Sequence, residues 1–190
     1  MTILEAHPTI AVFGNTPVPW TASWSGEETF HVAPCPVFNR RPAICQTSSP
    51  GNGRPQFGKP HSNRQRKAVG LCLCDLCGKS IKLSTKVSLS HARPVPHGAE
   101  GWAILQVEPL LHPECAYECV RWCPSLKRDL QDGSLMIRQV TKWRAQVAIM
   151  DEFYVETITG QRRKALGHGK VELMRWTDRD LGWLEERAAA

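Results

Sequence analysis

Apolar and polar residues alternate along several short stretches of this chain, and only two stretches carry a helical spacing. From Thr16 to Val32, "TPVPWTASWSGEETFHV" reads as a β-hairpin. Trp20, Ala22 and Trp24 alternate with Thr21 and Ser23, "SGEE" supplies the turn, and Phe30 and Val32 return. "IKLSTKVSLS", residues 81 to 90, alternates as a strand should, and "WAILQVEPLL" contains a short strand. A helix is predicted from Pro113, because proline suits the first helical turn. Cys115, Ala116, Cys119, Val120 and Cys123 fall on one side of it, and Glu114, Glu118 and Arg121 on the other. Cys123-Pro124 ends it, since the residue before proline avoids helical angles. Further on, "AQVAIM", "FYVETI" and "KVELMRW" read as strands. "TDRDLGWLEERAAA" reads as a final helix capped by Thr177 or Asp178, with Asp180 in its first turn. The pattern predicts an α+β fold of mostly short antiparallel strands and two short helices.

One region breaks the pattern. From Thr29 to Cys74 there is no acidic residue, while Arg40, Arg41, Arg54, Lys59, Arg64, Arg66 and Lys67 are all basic. Six prolines and "SSPGNG" lie in the same stretch, which reads as a basic insert, mobile in part. The chain then divides into an N-terminal arm and hairpin (1–33), the insert (34–68), a metal module (69–130) and C-terminal strands with a terminal helix (131–190).

The cysteines change the picture most. "LCLCDLCGKS" places three of the eight within six residues. In Cys74-x2-Cys77-Gly78, a sharp turn lets two thiolates reach one ion, and the glycine admits the backbone angle that turn needs. His112-x2-Cys115 sits where the helix begins, and a helix N-terminus favours thiolate. Knuckle, hairpin, loop and two ligands at a helix start is the layout of a treble-clef zinc finger, and the 34 residues between Cys77 and His112 leave room for it. Cys74, Cys77, His112 and Cys115 are one ligand set, and Cys119 is an alternative to His112. Cys123, two turns deep, reads as a small core residue but remains a further alternate. Four protein ligands make the Zn²⁺ structural, with no open position for a reacting water. Cys72 reads as a packing residue, and Cys35 and Cys45 as free thiols or, at most, part of a second metal site.

With "PVPW", "LCDLCGK" and "EPLLHPECAYECVRWCPSL" in view, the chain resembles an uncharacterised family of small proteins of tailed phages, prophages and bacterial genomes. The recurring positions are Pro17, Pro19, Trp20, Cys74, Cys77, Gly78, Glu108, Pro109, His112, Cys115, Cys123, Pro124 and Leu126. The resemblance implies a zinc module and a phage setting and brings no activity. The insert is longer than the family's connection. Cys119 stands where the family tends to have another residue, which favours His112 as ligand, while the recurrence of Cys123 favours that residue too.

The net charge of +6 and pI near 9.0 favour anionic partners. The first functional reading is therefore a zinc-stabilised, non-catalytic binding protein contacting nucleic acid or a nucleoprotein complex. Arg54, Lys59, Arg64, Arg66 and Lys67 would meet phosphate, and Phe57 or His61 would stack on bases. The second reading is a protein-interaction module inhibiting a host enzyme or defence complex, using some of the seven tryptophans. The third is a zinc-braced nuclease using His91, His97 and Glu100 beside His112. No signal peptide and no membrane span are expected, so the predicted location is the cytoplasm, the host's if phage-encoded. In that reducing compartment clustered cysteines bind metal more often than they pair.

Overall fold

The protein is described by a computed structural model covering residues 10–98 and 101–189. Its main sheet contains seven strands. β1 (Val12–Phe13) and β2 (Thr16–Pro17) form a separate small ribbon, and β3 (Ala22–Trp24) follows. β4 (Phe30–Cys35) and β5 (Arg41–Gln46) make an antiparallel hairpin. β6 (Pro55–Pro60) pairs with β3. The expected hairpin between Trp20 and Val32 therefore does not form. "SGE" is a 3-10 turn in which Glu27 is fully buried, and each arm finds a partner further along the chain.

The expected insert is ordered. It supplies β4's end, β5, β6 and most of α1 (Ser62–Leu71), a helix that crosses the expected boundary at residue 68. Its prolines sit at or near strand ends, in the 3-10 turn Pro36–Phe38 and, for Pro50, in the turn between β5 and β6, where a missing N–H costs little. Gln65 ties α1 to the sheet. Its Nε2 donates to the carbonyls of Val107 (2.6 Å) and Gly169 (2.9 Å), and its Oε1 accepts from the Gly169 N–H (2.8 Å). A Cβ at Gly169 would lie 3.0 Å from Val69 Cβ, so glycine there lets the helix approach closely.

β7 (Lys86–Ser90), β8 (Val95–Pro96) and β9 (Trp102–Gln106) lead to α2 (Pro113–Trp122) and α3 (Pro124–Gln131). α2 begins and ends where the sequence predicts. One residue departs from its expected polar side: Glu118 is buried, taking a hydrogen bond from Trp122 Nε1 at 2.7 Å. β10 (Met136–Met150) and β11 (Ala165–Arg179) are long antiparallel partners, and α4 (Glu152–Thr159) joins them. "FYVETI" is thus helix, not strand. α5 (Leu181–Ala189) closes the described chain. Its first turn is capped by Asp180, whose carboxylate accepts the Trp183 N–H at 2.8 Å, because β11 extends through Thr177 and Asp178. Five α-helices are described where two were expected.

The sheet runs β4-β5-β11-β10-β7, with β9 also on β11 and β8 on β9. Among the described strands only the β5–β11 contact is parallel. The largest apolar core lies where α1, α2 and α5 cover this sheet. Val69, Ile81, Val87, Ile104, Ala116, Val171, Leu173 and Leu184 meet there. The metal-module cysteines belong to the same core.

Candidate metal centre

The knuckle is built by backbone bonds. Leu73 and Ser80 form a β-bridge; the Cys74 N–H donates to the Lys79 carbonyl (2.8 Å) and the Gly78 N–H to the Cys74 carbonyl (2.9 Å). Gly78 takes φ +69°, which an L-residue resists, and a Cβ there would strike the Trp20 ring at 2.8 Å. Trp20 and Thr21 hold the turn from outside through the Leu76 and Asp75 carbonyls. The Thr21 hydroxyl also donates to the Asp75 carboxylate, whose pKa burial raises to about 6.

The helix side is fixed separately. Val87 and Leu111 form a bridge, and the Asp75 N–H donates to the Leu110 carbonyl, which sets the start of α2 against the knuckle. His112 is the N-cap residue and Pro113 opens the first turn. Between knuckle and helix β8 and β9 pair antiparallel as a short hairpin, while β7 lies against β10 and β9 also against β11.

Cys74, Cys77, His112 and Cys115 converge. Their ligand atoms all lie within 4.8 Å of one another, and all four side chains are buried or nearly so. His112 Nδ1 is 3.5 Å from Cys77 Sγ and 3.9 Å from Cys115 Sγ. Its Nε2 lies 3.3 Å from the Ser80 carbonyl. A carbonyl only accepts, so Nε2 carries a hydrogen and Nδ1 is the ring nitrogen that faces the sulfurs. That outer contact orients a metal-binding histidine. The crowding also strains proton occupancy. Hydrogen bonds from Cys115 and Cys74 push the Cys77 thiol far down, while hydrogen bonds to Cys74 and Cys77 push Cys115 up. Burial lowers His112, yet its bonds to Cys74 and Cys77 outweigh this and raise it to about 10. Three thiols and an imidazole can hold a metal ion here, and the ion would displace those shared protons.

Cys119 and Cys123 stand outside this group. Both are half-buried, Cys119 packs at the edge of the core, and Cys123 caps α2 with its N–H on the Cys119 carbonyl. Burial, then the nearby Asp75 and Cys74, pushes the Cys119 thiol well up. Cys35, Cys45 and Cys72 are buried free thiols. Burial raises both Cys45 and Cys72.

The residues expected to meet phosphate divide. Arg54, Lys59 and Lys67 are exposed, with Lys67 Nζ 6.0 Å from the Trp20 ring centre. Arg64 and Arg66 are buried. Arg64 is bonded to Glu27, and Arg66 donates to the Gly167 carbonyl at 3.0 Å and to Asn63 at 3.3 Å. Phe57 is exposed, but His61 is fully buried against the Thr47 carbonyl and cannot stack on a base. His91 faces Asp129 (3.3 Å) and His97 faces Glu172 (3.1 Å); Glu100 lies outside the described residues. No described helix is long and apolar enough to cross a membrane. Comparison with family models, curated proteins and solved structures finds no match for the chain.

Proposed function

We propose that the four-residue cluster holds one structural Zn²⁺ in a treble-clef-like module, and that the protein is a non-catalytic binding protein of phage or prophage type acting on nucleic acid or a nucleoprotein complex. The observation that carries the reading is the closed donor set: three sulfurs and one correctly oriented imidazole nitrogen within 4.8 Å. Thiolate-rich tetrahedral sites favour zinc, and four protein ligands leave no position for a reacting water. Bound zinc supplies folding energy by joining the knuckle to α2. The net charge of +6 supports an anionic partner, met by the exposed Arg40, Arg41, Arg54, Lys59 and Lys67. Arg64 and Arg66 are withdrawn from that surface.

The test is binding of single- and double-stranded DNA and RNA at low salt. Affinity should fall linearly on logarithmic axes as salt rises. No measurable affinity at about 50 mM salt, where electrostatic binding is strong, sinks the nucleic-acid reading.

One observation favours the protein-interaction alternative. Phe153 is 78% exposed and Ile149 61%, beside a cleft of about 540 Å³ lined by Phe30, Ile44, Met150 and Ile158. A partner that co-purifies from the host regardless of nuclease treatment would move that reading to the front.

A further inference from the structure

β10 and β11 place Arg144 opposite Glu172 and Lys142 opposite Arg175. Glu172 is 2% exposed, although the Arg144 and His97 side chains that meet it reach solvent. It accepts from Arg144 Nε (2.7 Å) and Nη2 (3.0 Å) and from Gln146 Nε2, and His97 Nε2 lies 3.1 Å away. The Arg144 bonds hold its carboxyl below the usual range, so it stays anionic. His97 follows β8, and its N–H donates to the Gly101 carbonyl at 2.7 Å. With Nε2 turned to the carboxylate, Nδ1 is the ring nitrogen left for another partner.

Beside this cluster lies a cavity of about 280 Å³ lined by His97, Trp102, Ala103, Lys142, Met174 and Arg175. Lys142 and Arg175 are both exposed, and among the described residues neither has a carboxylate within ion-pair distance. Trp102 is 58% exposed, while the other six tryptophans are buried or half-buried. Packing does not account for an open indole that shares a cavity with two cations lacking a described carboxylate partner and with a histidine held by Glu172. The combination suits a ligand with an anionic group and a flat ring. A base paired within a duplex does not present its face to an indole, whereas an unpaired base does.

We propose that this pocket binds one nucleotide unit of a single-stranded nucleic acid, with phosphate between Lys142 and Arg175 and the base stacked on Trp102. His97 hydrogen-bonds the same unit, held in place by Glu172. The proposal rests on the nucleic-acid reading above and moves its main contact from the 34–67 region to the β9–β11–β10 face.

The experiment uses the full chain with its metal and a labelled oligothymidylate, read by anisotropy across a salt series. Thymidine monophosphate and inorganic phosphate serve as competitors. Trp102→Ala should weaken binding roughly tenfold, the scale of one lost stack. Lys142→Ala with Arg175→Ala should lower the logarithmic salt slope by about 1.4, two contacts at roughly 0.7 each. Arg162→Ala with Arg163→Ala, on the exposed loop before β11, should change neither beyond the uniform effect of net charge. Competition by the nucleotide well above that by phosphate supports the pocket; equal competition removes the base from it. If the intact protein binds and both pocket variants bind equally well with unchanged melting temperature, the pocket is overturned and the nucleic-acid reading survives. If the intact protein binds no nucleic acid, both fall.

Discussion

Glu27 and Arg64 are a pair that no local pattern reveals, because 37 residues separate them. The Glu27 carboxylate is fully buried and accepts from Arg64 Nη1 (2.8 Å) and Nη2 (2.7 Å), and from the N–H groups of Trp24 and Ser49. Burial alone would raise its pKa; the Arg64 bonds and the two backbone donors outweigh it and bring it from 4.5 to about 2. A folded-state value below the unfolded one means stability that is present above about 4.5 and lost as pH falls toward 2. The size is on the order of 3 kcal/mol. Glu27→Gln should cost about 3–5 kcal/mol in urea unfolding at neutral pH, since it strands a buried guanidinium. It should also flatten the acid limb between pH 5 and 2. A cost below about 1 kcal/mol, the level of an exposed pair, would mean the carboxylate does not anchor the turn. The absence of acid from Thr29 to Cys74 is real, yet it does not make the region's cations surface groups. Arg64's partner precedes that region, and Arg66 uses backbone and amide oxygens instead.

At the scale of elements, legibility followed the strength of local signals. α2 was readable because Pro113, the helical spacing and Cys123-Pro124 agree. The local pattern of α4 points to a strand because "FYVETI" is short and rich in residues that favour strands, so its apolar positions do not separate helix from strand. Its caps carry the decision. Asp151 Oδ1 accepts the Tyr154 N–H at 2.9 Å, and Gly160 ends the helix at φ +70°. Asp151→Ala should therefore cost about 1 kcal/mol, measured by chemical denaturation. No change on removing that cap would show that packing alone holds α4. The two long strands were seen only as fragments because register shifts fall between Val140 and Lys142, Lys142 and Trp143, and Val147 and Ile149 in β10. Each shift resets which side chains face inward, so alternation survives only between them.

Taken whole, the molecule joins distant parts of the chain through α1 and the knuckle. α1 bonds to β11 through Gln65 and Gly169, 104 residues apart, and β5 meets β11 at Ala43 and Leu166. Sequence patterning does not show such contacts, and proline and glycine content there suggests mobility that these contacts remove. Replacing residues 34–67 with a Gly-Ser link should abolish cooperative unfolding rather than leave an intact metal domain. In native trypsin digests Arg64 and Arg66 should resist while the exposed Arg162 or Arg163, in the loop before β11, is cut first; Arg54 and Lys59 each precede a proline and are not trypsin sites. Early cleavage at Arg66 would contradict the seat assigned to α1. The metal cluster, by contrast, was legible in its residues: the two x2 spacings named Cys74, Cys77, His112 and Cys115. What the spacing left open was the fourth ligand, because helical repetition alone treats Cys115, Cys119 and Cys123 alike. The Ser80 contact and the converging sulfurs set His112 apart. Elemental analysis of protein purified without added metal decides whether that cluster works as proposed. One zinc per chain is expected, kept by Cys119→Ser and lost by Cys74→Ser, with a marked fall in melting temperature when a strong chelator removes it. Metal-free protein that melts at the same temperature as the purified form would contradict it.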